Sequence, residues 1–159
     1  MKQGDLALLR EPVAQALLKS TISAALAYNW FDGTPRVVPI WFRWNGNQFI
    51  LASGDKAPKL RALTKNPHVA LTIYEDVWPY KVLLVRGMTS ITPVEGTPQE
   101  FDDSAHHYLG REGGDSFLQF YKSVVKSMGR ITVNPEWVGL LDFETRMPSV
   151  IAAELTAST

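Results

Sequence analysis

Short apolar runs cover most of the chain, and their length and alternation predict β-strands rather than long helices. Clusters of Gly, Pro, Asn and Asp separate the runs and are typical of turns. The order of the runs therefore predicts an antiparallel meander in the first half of the chain. The predicted strands are residues 21–28, 36–44, 48–53, 69–74, 81–91, 131–133 and 137–143.

The strongest hairpin signal is Asn45-Gly46, which lies between two apolar and aromatic runs. These two residue types tolerate the positive φ values of a type I′ turn. Alternation along residues 36–44 makes both faces of this strand largely apolar, so we expect both to be covered. One face carries Val38, Ile40, Phe42 and Trp44, and the other carries Val37, Pro39, Trp41 and Arg43. Pro39 has no N–H to donate, which indicates an edge, a bulge or a ligand contact there.

Four segments have helical spacing. Pro12–Lys19 predicts an opening helix. A short helix follows the second strand of the hairpin, with Asp55 as N-cap and Pro67 disfavouring its continuation. Residues 97–100 form a capping box for a helix that stops at Gly110, and Asp115 is predicted to cap another helix that ends at Gly129. Strands, then helices, then strands predict an α+β fold built on a mostly antiparallel barrel with flanking short helices.

Composition narrows the range of functions. The chain has 159 residues, 45% of them hydrophobic, which suits one domain over residues 1–159. A net charge of zero with dispersed cations disfavours nucleic-acid binding. The absence of cysteine removes disulfides, thiolate zinc sites and cysteine nucleophiles. No apolar stretch reaches membrane-spanning length and no leader is evident, so we expect a cytoplasmic protein without membrane contact.

Ser53 and Lys59 form the main candidate site, because both lie near the predicted start of the short helix. Free backbone N–H groups, a hydroxyl and an ammonium group together can bind a phosphate. The alternative is that Lys59 is simply a solvated surface charge.

Other candidate groups have ordinary structural interpretations. Two carboxylate–imidazole pairs on one helix could hold a metal, but adjacent histidines point about 100° apart, so we expect no metal site. They pair Asp102 and Asp103 with His106 and His107. The aromatic residues 77–80 either cover a pocket or plug the barrel end, and packing is the preferred interpretation. Trp137 and His68 are interpreted as structural.

Residues 21–87 resemble the flavin-binding split β-barrels related to pyridoxamine 5′-phosphate oxidase. The resemblance rests on the run Arg36-Val-Val-Pro-Ile-Trp41, on Ser53, on Lys59 and on Asn66-Pro67 before the next strand. It implies a split barrel that binds FMN or the deazaflavin F420, in a groove between the subunits of a homodimer. The implied cofactor contacts are Arg36, Val37, Val38, Pro39, Ile40, Trp41, Ala52, Ser53, Pro58 and Lys59, with the phosphate on Arg36, Ser53 and Lys59.

Some positions depart from the family pattern. Pro58 stands where the oxidases often have Arg, Trp41 where they often have Lys, and Val82 where a Gln often approaches the ring. The Arg and His set that grips pyridoxine phosphate is not recognisable after residue 130. Vitamin B6 oxidation is therefore not implied, and the run from Pro39 to Trp44 looks more like members that bind FMN or F420.

The resulting hypothesis is an oxidoreductase that acts on an unknown small molecule, with the hydride chemistry supplied by the cofactor. No catalytic residue is predicted for that reason. The alternative is a carrier or sensor of flavin, deazaflavin or haem with no turnover. A third possibility is a dimeric scaffold with an empty groove, in which Arg36 and Lys59 are surface charges.

Overall fold

The computed structural model describes residues 1–157, so residues 158–159 of the predicted domain lie outside it. Seven strands and four α-helices follow a short 3-10 helix, Leu6–Arg10. The helices are α1 (Pro12–Lys19), α2 (Pro58–Lys65), α3 (Gln99–Val124) and α4 (Ser149–Ala157). The strands are β1 (Ala24–Asn29), β2 (Pro35–Ile40), β3 (Arg43–Trp44), β4 (Phe49–Gly54), β5 (His68–Tyr74), β6 (Lys81–Glu95) and β7 (Ser127–Asp142).

All seven strands belong to one antiparallel sheet in the order β2-β1-β5-β6-β7-β4-β3. Only Trp41 and Phe42 separate β2 from β3, yet these two strands stand at opposite ends of the sheet. The sheet must therefore curl round until its two ends meet. Because β2 and β3 are not paired, the barrel stays open along this line, and the fold is the split α+β barrel predicted from the sequence.

The core fills the inside of the curled sheet. Alternate residues of β1 and β5 point into it, and β1 shows a strict alternation of buried and half-buried positions. Leu8 of the 3-10 helix and Leu17 of α1 are completely buried, which places these two helices over one end of the barrel. Helix α2 contributes Leu60 and Leu63, as its apolar spacing predicts.

The hairpin at residues 45–48 is confirmed, but its predicted turn type is wrong. Asn45 donates its backbone N–H to the Gln48 carbonyl, and its side-chain Oδ1 accepts from the N–H groups of Asn47 and Gln48. Only Gly46 has a positive φ, whereas a type I′ turn needs two such residues. The Asn side chain stabilises a longer loop and so replaces the predicted two-residue turn.

The prediction that both faces of residues 36–44 are covered is also wrong for the isolated chain. Ile40 and Phe42 point into the core, but Val37 on the other face is 67% exposed. Strand β2 pairs only with β1, so it is an edge strand, as Pro39 indicates. The strand also stops at Ile40 and resumes at Arg43 where the barrel splits.

Three predicted helix caps are wrong because each side chain binds another side chain instead of a helix N-terminus. Asp55 accepts from the Ser127 hydroxyl at 2.6 Å, and Ala57 is the N-cap of α2. The Thr97 hydroxyl donates to Asp102 at 2.7 Å, so residues 97–100 form no capping box. Asp115 lies inside α3, with its carboxylate 2.7 Å from a ring nitrogen of His106.

Helix α3 is a helical hairpin. Gly110 has φ 76° and ψ 176°, which breaks the helix where the stop was predicted. The two halves fold back on each other, since the rings of Phe101 and Tyr121 are 4.8 Å apart and Lys122 pairs with Asp102 at 2.6 Å. The second half ends at Val124 rather than Gly129, because the chain from Ser127 onward pairs with β6 as strand β7.

The last two predicted strands form the single strand β7. A bulge interrupts its pairing with β6, where Arg86 lies opposite Trp137 and Gly87 lies opposite Pro135. A proline within a strand is accommodated at such a bulge. Helix α4, for which the sequence analysis made no prediction, has no buried residue.

The aromatic loop at residues 77–80 does not pack into the core, contrary to the preferred interpretation. Val77 is 71% exposed and Trp78 is 64% exposed. Trp78, Tyr80 and Phe143 contact one another at ring distances of 5.4–5.9 Å on the surface. The loop therefore neither plugs the barrel nor contributes to its core.

Candidate functional site

A cavity of about 390 Å³ opens where the barrel splits. Pro39, Ile40 and Trp41 bound one side of it as β2 ends, and Ala52 of β4 lies across from them. The volume falls in the range of small-molecule sites, and the lining is mostly apolar. The structure thus brings four of the predicted contacts, from two sequence segments, to one cavity.

The helical hairpin α3 forms the opposite wall. Phe101, Phe117 and Tyr121 line the cavity there, and their rings lie 4.8–6.0 Å from one another. Trp41 joins this cluster by stacking on Tyr108 with ring centroids 5.4 Å apart and planes 5° from parallel. Burial raises the pKa of the Tyr108 and Tyr121 hydroxyls, so both stay neutral at physiological pH.

Glu100 brings a charge to this aromatic cavity. Its Oε1 accepts from Nη2 of Arg130 at 2.6 Å and from Nε of the same guanidinium at 3.2 Å. The hydrogen bond from Arg130 lowers the pKa of Glu100, so the group is a carboxylate at neutral pH. Ser104, which also lines the cavity, donates its hydroxyl to the Glu100 carbonyl.

Ser53 and Lys59 lie at the end of β4 and in the first turn of α2. Within residues 1–157, neither the Ser53 hydroxyl nor the Lys59 ammonium has a hydrogen-bond or ion-pair partner. The start of α2 has no side-chain cap either, and Pro58 occupies its first turn. Burial lowers the pKa of Lys59. A half-buried cation without a partner, next to an uncapped helix start, has the properties of an anion site.

Arg36 lies on the exposed edge strand β2 with its guanidinium carbon 5.4 Å above the Trp30 ring. In the described part of the chain it makes no contact with Ser53 or Lys59. The Phe31 and Trp30 ring centroids are 4.9 Å apart. The guanidinium carbon of Arg61 and the ammonium of Lys65, both on α2, lie 5.8 and 5.9 Å from the Phe31 ring centroid. Binding of one phosphate by Arg36, Ser53 and Lys59 together therefore stays a prediction. Val37 and Val38 lie beside Arg36 on β2.

Trp41 and Pro58 stand where the related oxidases often carry a charged residue, and the structure gives each of them another role. Trp41 stacks on α3, a contact that a lysine could not make. Pro58 begins α2, where its missing N–H costs nothing. Val82, the third departure, lies on β6 between Tyr74 and Leu141.

The acidic and histidine side chains of α3 have other partners than a metal. Asp102 binds Lys122, and His106 lies against Asp115. A ring nitrogen of His107 is 2.7 Å from the Ser20 carbonyl. In the described part of the chain, neither predicted carboxylate–imidazole pair forms a contact between its own two side chains.

The residues that sequence reasoning missed are those of the helical hairpin. Glu100, Ser104 and aromatic residues of α3 line the cavity, whereas the sequence analysis assigned no site residue to this helix pair. The signal in the sequence was the density of aromatic residues on both helices. It could not show that they face residue 41, because that requires the topology of the sheet.

Comparison with known proteins agrees with this geometry. The sequence model of the family described as pyridoxamine 5′-phosphate oxidase matches residues 11–142. The chain belongs to this family. The match runs from the start of α1 to the end of β7 and so includes every strand of the split barrel. No curated protein matches the chain.

Solved structures of the family share the fold. An F420 reductase is 25% identical with a TM-score of 0.62, and the alignment covers 79% of this chain and 94% of that one. HutZ, a haem storage protein from Vibrio cholerae, is 21% identical with a TM-score of 0.59, covering 83% and 93%. An FAD-binding protein from Mesorhizobium loti is 19% identical with a TM-score of 0.56, covering 79% and 87%.

In residues 1–157, no helix combines the length and the apolar character of a transmembrane segment.

Proposed function

We propose that this chain is an oxidoreductase that uses FMN or the deazaflavin F420 to act on a small molecule. The observation that carries the proposal is the cavity at the split of the barrel, which Pro39, Ile40, Trp41 and Ala52 border. Similarity to an F420 reductase and to an FAD-binding protein supports a cofactor of this class. When bound, such a cofactor supplies hydride transfer.

The residues fit a phosphorylated cofactor with a flat ring. Lys59 is a half-buried cation without a partner in the described residues, and the Ser53 hydroxyl nearby in the chain is equally free. Binding a phosphate there would satisfy both groups and the uncapped start of α2. The ring would lie along the backbone from Val37 to Trp41. Arg36 would then contribute through its positive charge at the edge of the site.

The aromatic wall of α3 would exclude water from the cavity and orient the ligand. Its rings are held by mutual contacts and by the stacking of Trp41 on Tyr108. Exclusion of water strengthens each electrostatic contact within the site. No side chain needs to act as an acid or base for hydride transfer itself.

We also propose a homodimer in which a second copy covers the exposed face of β2. Val37 and Pro39 share a groove of about 540 Å³ with Tyr74 and Val77. Exposed apolar residues gathered from an edge strand and a loop are typical of a subunit interface. The cofactor would then lie in a groove between the subunits.

A fluorescence titration tests the proposed cofactor site. FMN and, separately, F420 are titrated into the purified protein while quenching of cofactor fluorescence is followed. One of them is expected to bind, and Lys59→Ala should weaken it about ten- to 150-fold through loss of a charge-assisted contact. Lys19→Ala, a matched loss of charge on α1, should leave the affinity unchanged. Failure of both cofactors to bind contradicts the proposal.

A second candidate function is storage or transport of a cofactor, because the chain shares its fold with the haem storage protein HutZ. Turnover separates the two functions. The bound cofactor is reduced and then mixed with quinone and nitroaromatic acceptors. An enzyme accelerates reoxidation over free cofactor, whereas a carrier holds the cofactor without acceleration. The cytoplasmic location stays a prediction.

A further inference from the structure

The cavity at the split has one charged side chain among its lining residues, and the rest of its wall is apolar or neutral. That charged side chain is Glu100. Its position is set by Arg130 on the neighbouring strand β7, which holds Oε1 through two hydrogen bonds. The guanidinium is itself fixed by a contact of Nη1 with the Thr132 hydroxyl at 3.2 Å.

The second carboxylate oxygen of Glu100 is free to bind a ligand. In residues 1–157, Oε2 has no hydrogen-bond partner, since both Arg130 bonds go to Oε1. A carboxylate accepts hydrogen bonds and cannot donate them. Because the Glu100 side chain is 31% exposed, water can satisfy this oxygen in the empty cavity, and a ligand that displaces the water must offer an N–H, an O–H or a cation.

The aromatic wall adds two further conditions. Phe101, Phe117 and Tyr121 present flat apolar surfaces, which favour a planar ring. Their electron-rich faces also attract a cation and disfavour an anion. Arg130 offsets part of the Glu100 charge from behind the carboxylate, and it is not among the lining residues of the cavity. The wall and the carboxylate thus select for the same kind of molecule.

We propose that the cavity binds planar aromatic molecules that carry a protonated amine or another N–H donor, and that Glu100 selects them over anionic analogues. This rests on the proposed function in one respect, namely that the cofactor ring lies along the backbone from Val37 to Trp41 and leaves the α3 side of the cavity to the substrate. Glu100 is a specificity residue in this proposal. It takes no part in hydride transfer.

Two probes of the same ring and opposite charge test the selection. 1-Naphthylmethylamine and 1-naphthylacetate are titrated calorimetrically into the purified, cofactor-free protein at pH 7. The amine is expected to bind at least about tenfold more tightly than the acetate. Glu100→Gln should reduce this preference to within about threefold, because Gln keeps the shape but loses the charge.

Three controls make the result decisive. Arg130→Gln leaves Glu100 charged and should retain or increase the preference for the amine. Lys122→Gln breaks the other ion pair of the α3 hairpin, outside the cavity lining, and should leave the preference unchanged. Circular dichroism of all variants shows whether α3 remains folded. If Glu100→Gln does not fold, Arg130→Gln still tests the proposal. Loss of the preference for the amine in Arg130→Gln contradicts selection by the carboxylate.

The outcome is separable from that of the proposed function. If FMN or F420 binds but the acetate binds as tightly as the amine, this inference is wrong and the cofactor proposal stands. If no cofactor binds but Glu100 selects the amine, the cofactor proposal is wrong and this inference stands. Binding of neither probe, or a preference that persists in Glu100→Gln, overturns the inference.

Discussion

At the scale of single residues, a charged side chain without a hydrogen-bond or ion-pair partner indicates the binding site better than its residue type does. Lys59 was predicted from sequence order, and what distinguishes it in the structure is partial burial without a partner. The helix caps show the opposite case. Asp55, Thr97 and Asp115 have the right types for caps, but Ser127, Asp102 and His106 bind them instead. Ser127 lies 72 positions from Asp55 in sequence, so local patterns could not reveal this partner.

Replacing Lys59 should stabilise the cofactor-free protein. Burial lowers the folded-state pKa of Lys59 below 10.5, so its charge opposes folding at every pH below that lowered value. Lys59→Met should raise the free energy of unfolding at pH 7 by about 0.5 kcal/mol after allowance for solvent screening. The gain should decline as the pH rises through the lowered pKa and vanish above 10.5, where Lys59 is neutral in both states. Urea denaturation at pH 7 and pH 10 measures it, and an equal gain at both values would contradict this origin.

The Glu100–Arg130 ion pair should make stability depend on pH in acid. The pKa of Glu100 in the folded protein is below its ordinary value of 4.5, so its contribution is complete above that pH and is lost as the pH falls through the lowered pKa. We expect Glu100→Gln to cost about 1 kcal/mol at pH 7 and much less at pH 3. Urea denaturation at the two pH values measures this difference. A cost that is the same at both would assign it to packing rather than charge.

At the scale of elements, the sequence predicted what local order determines and failed where pairing decides. The bounds of α1 and the stop at Gly110 follow from apolar spacing and glycine. The predicted end at Gly129 was wrong because apolar residues at helical spacing continue to Met128, which pairs in β7. The break between β2 and β3 was also missed, since the apolar pattern runs through Trp41 and Phe42 without interruption.

The helical hairpin depends on Gly110. A residue with φ 76° and ψ 176° occupies a region that is essentially restricted to glycine. No neighbouring atom would contact an added Cβ, so the cost of Gly110→Ala is backbone strain alone, about 1–3 kcal/mol. Thermal unfolding measures the loss. Glu112→Ala, at an exposed helical position two residues on, is the control and should change stability little.

At the scale of the whole molecule, the split barrel was predictable through family resemblance, whereas the order of the strands required the assembled sheet. The exposed face of β2 also needed the structure. The alternation in the sequence predicted that the second, apolar face is covered. The assembled sheet shows that α3 covers this face at Trp41, whereas Val37 and Pro39 stay exposed in the described chain. A second copy is the proposed explanation.

A charge on that face should prevent the proposed dimer. Val37 is 67% exposed on the edge strand, so Val37→Arg should fold normally as a monomer, because an unpaired charge is costly only where an interface buries it. Light scattering coupled to size-exclusion chromatography should show a dimer for the unaltered protein and half that mass for the variant. Gln119→Arg, on the exposed side of α3, adds the same charge elsewhere and should remain dimeric. A monomeric unaltered protein would contradict the proposed assembly.

The two-residue link between the ends of the sheet has a consequence for how the chain folds. Strand β4 pairs on one side with β3, which is close in sequence, and on the other with β7, more than seventy residues later. The barrel therefore cannot be completed while only the N-terminal part of the chain has been synthesised. The hairpin of β3 and β4 joins the sheet only when β7, the last strand, is available. Such non-local pairing predicts slow, all-or-none folding, in which Trp41 and Phe42 reach their final places together with residues almost at the end of the chain.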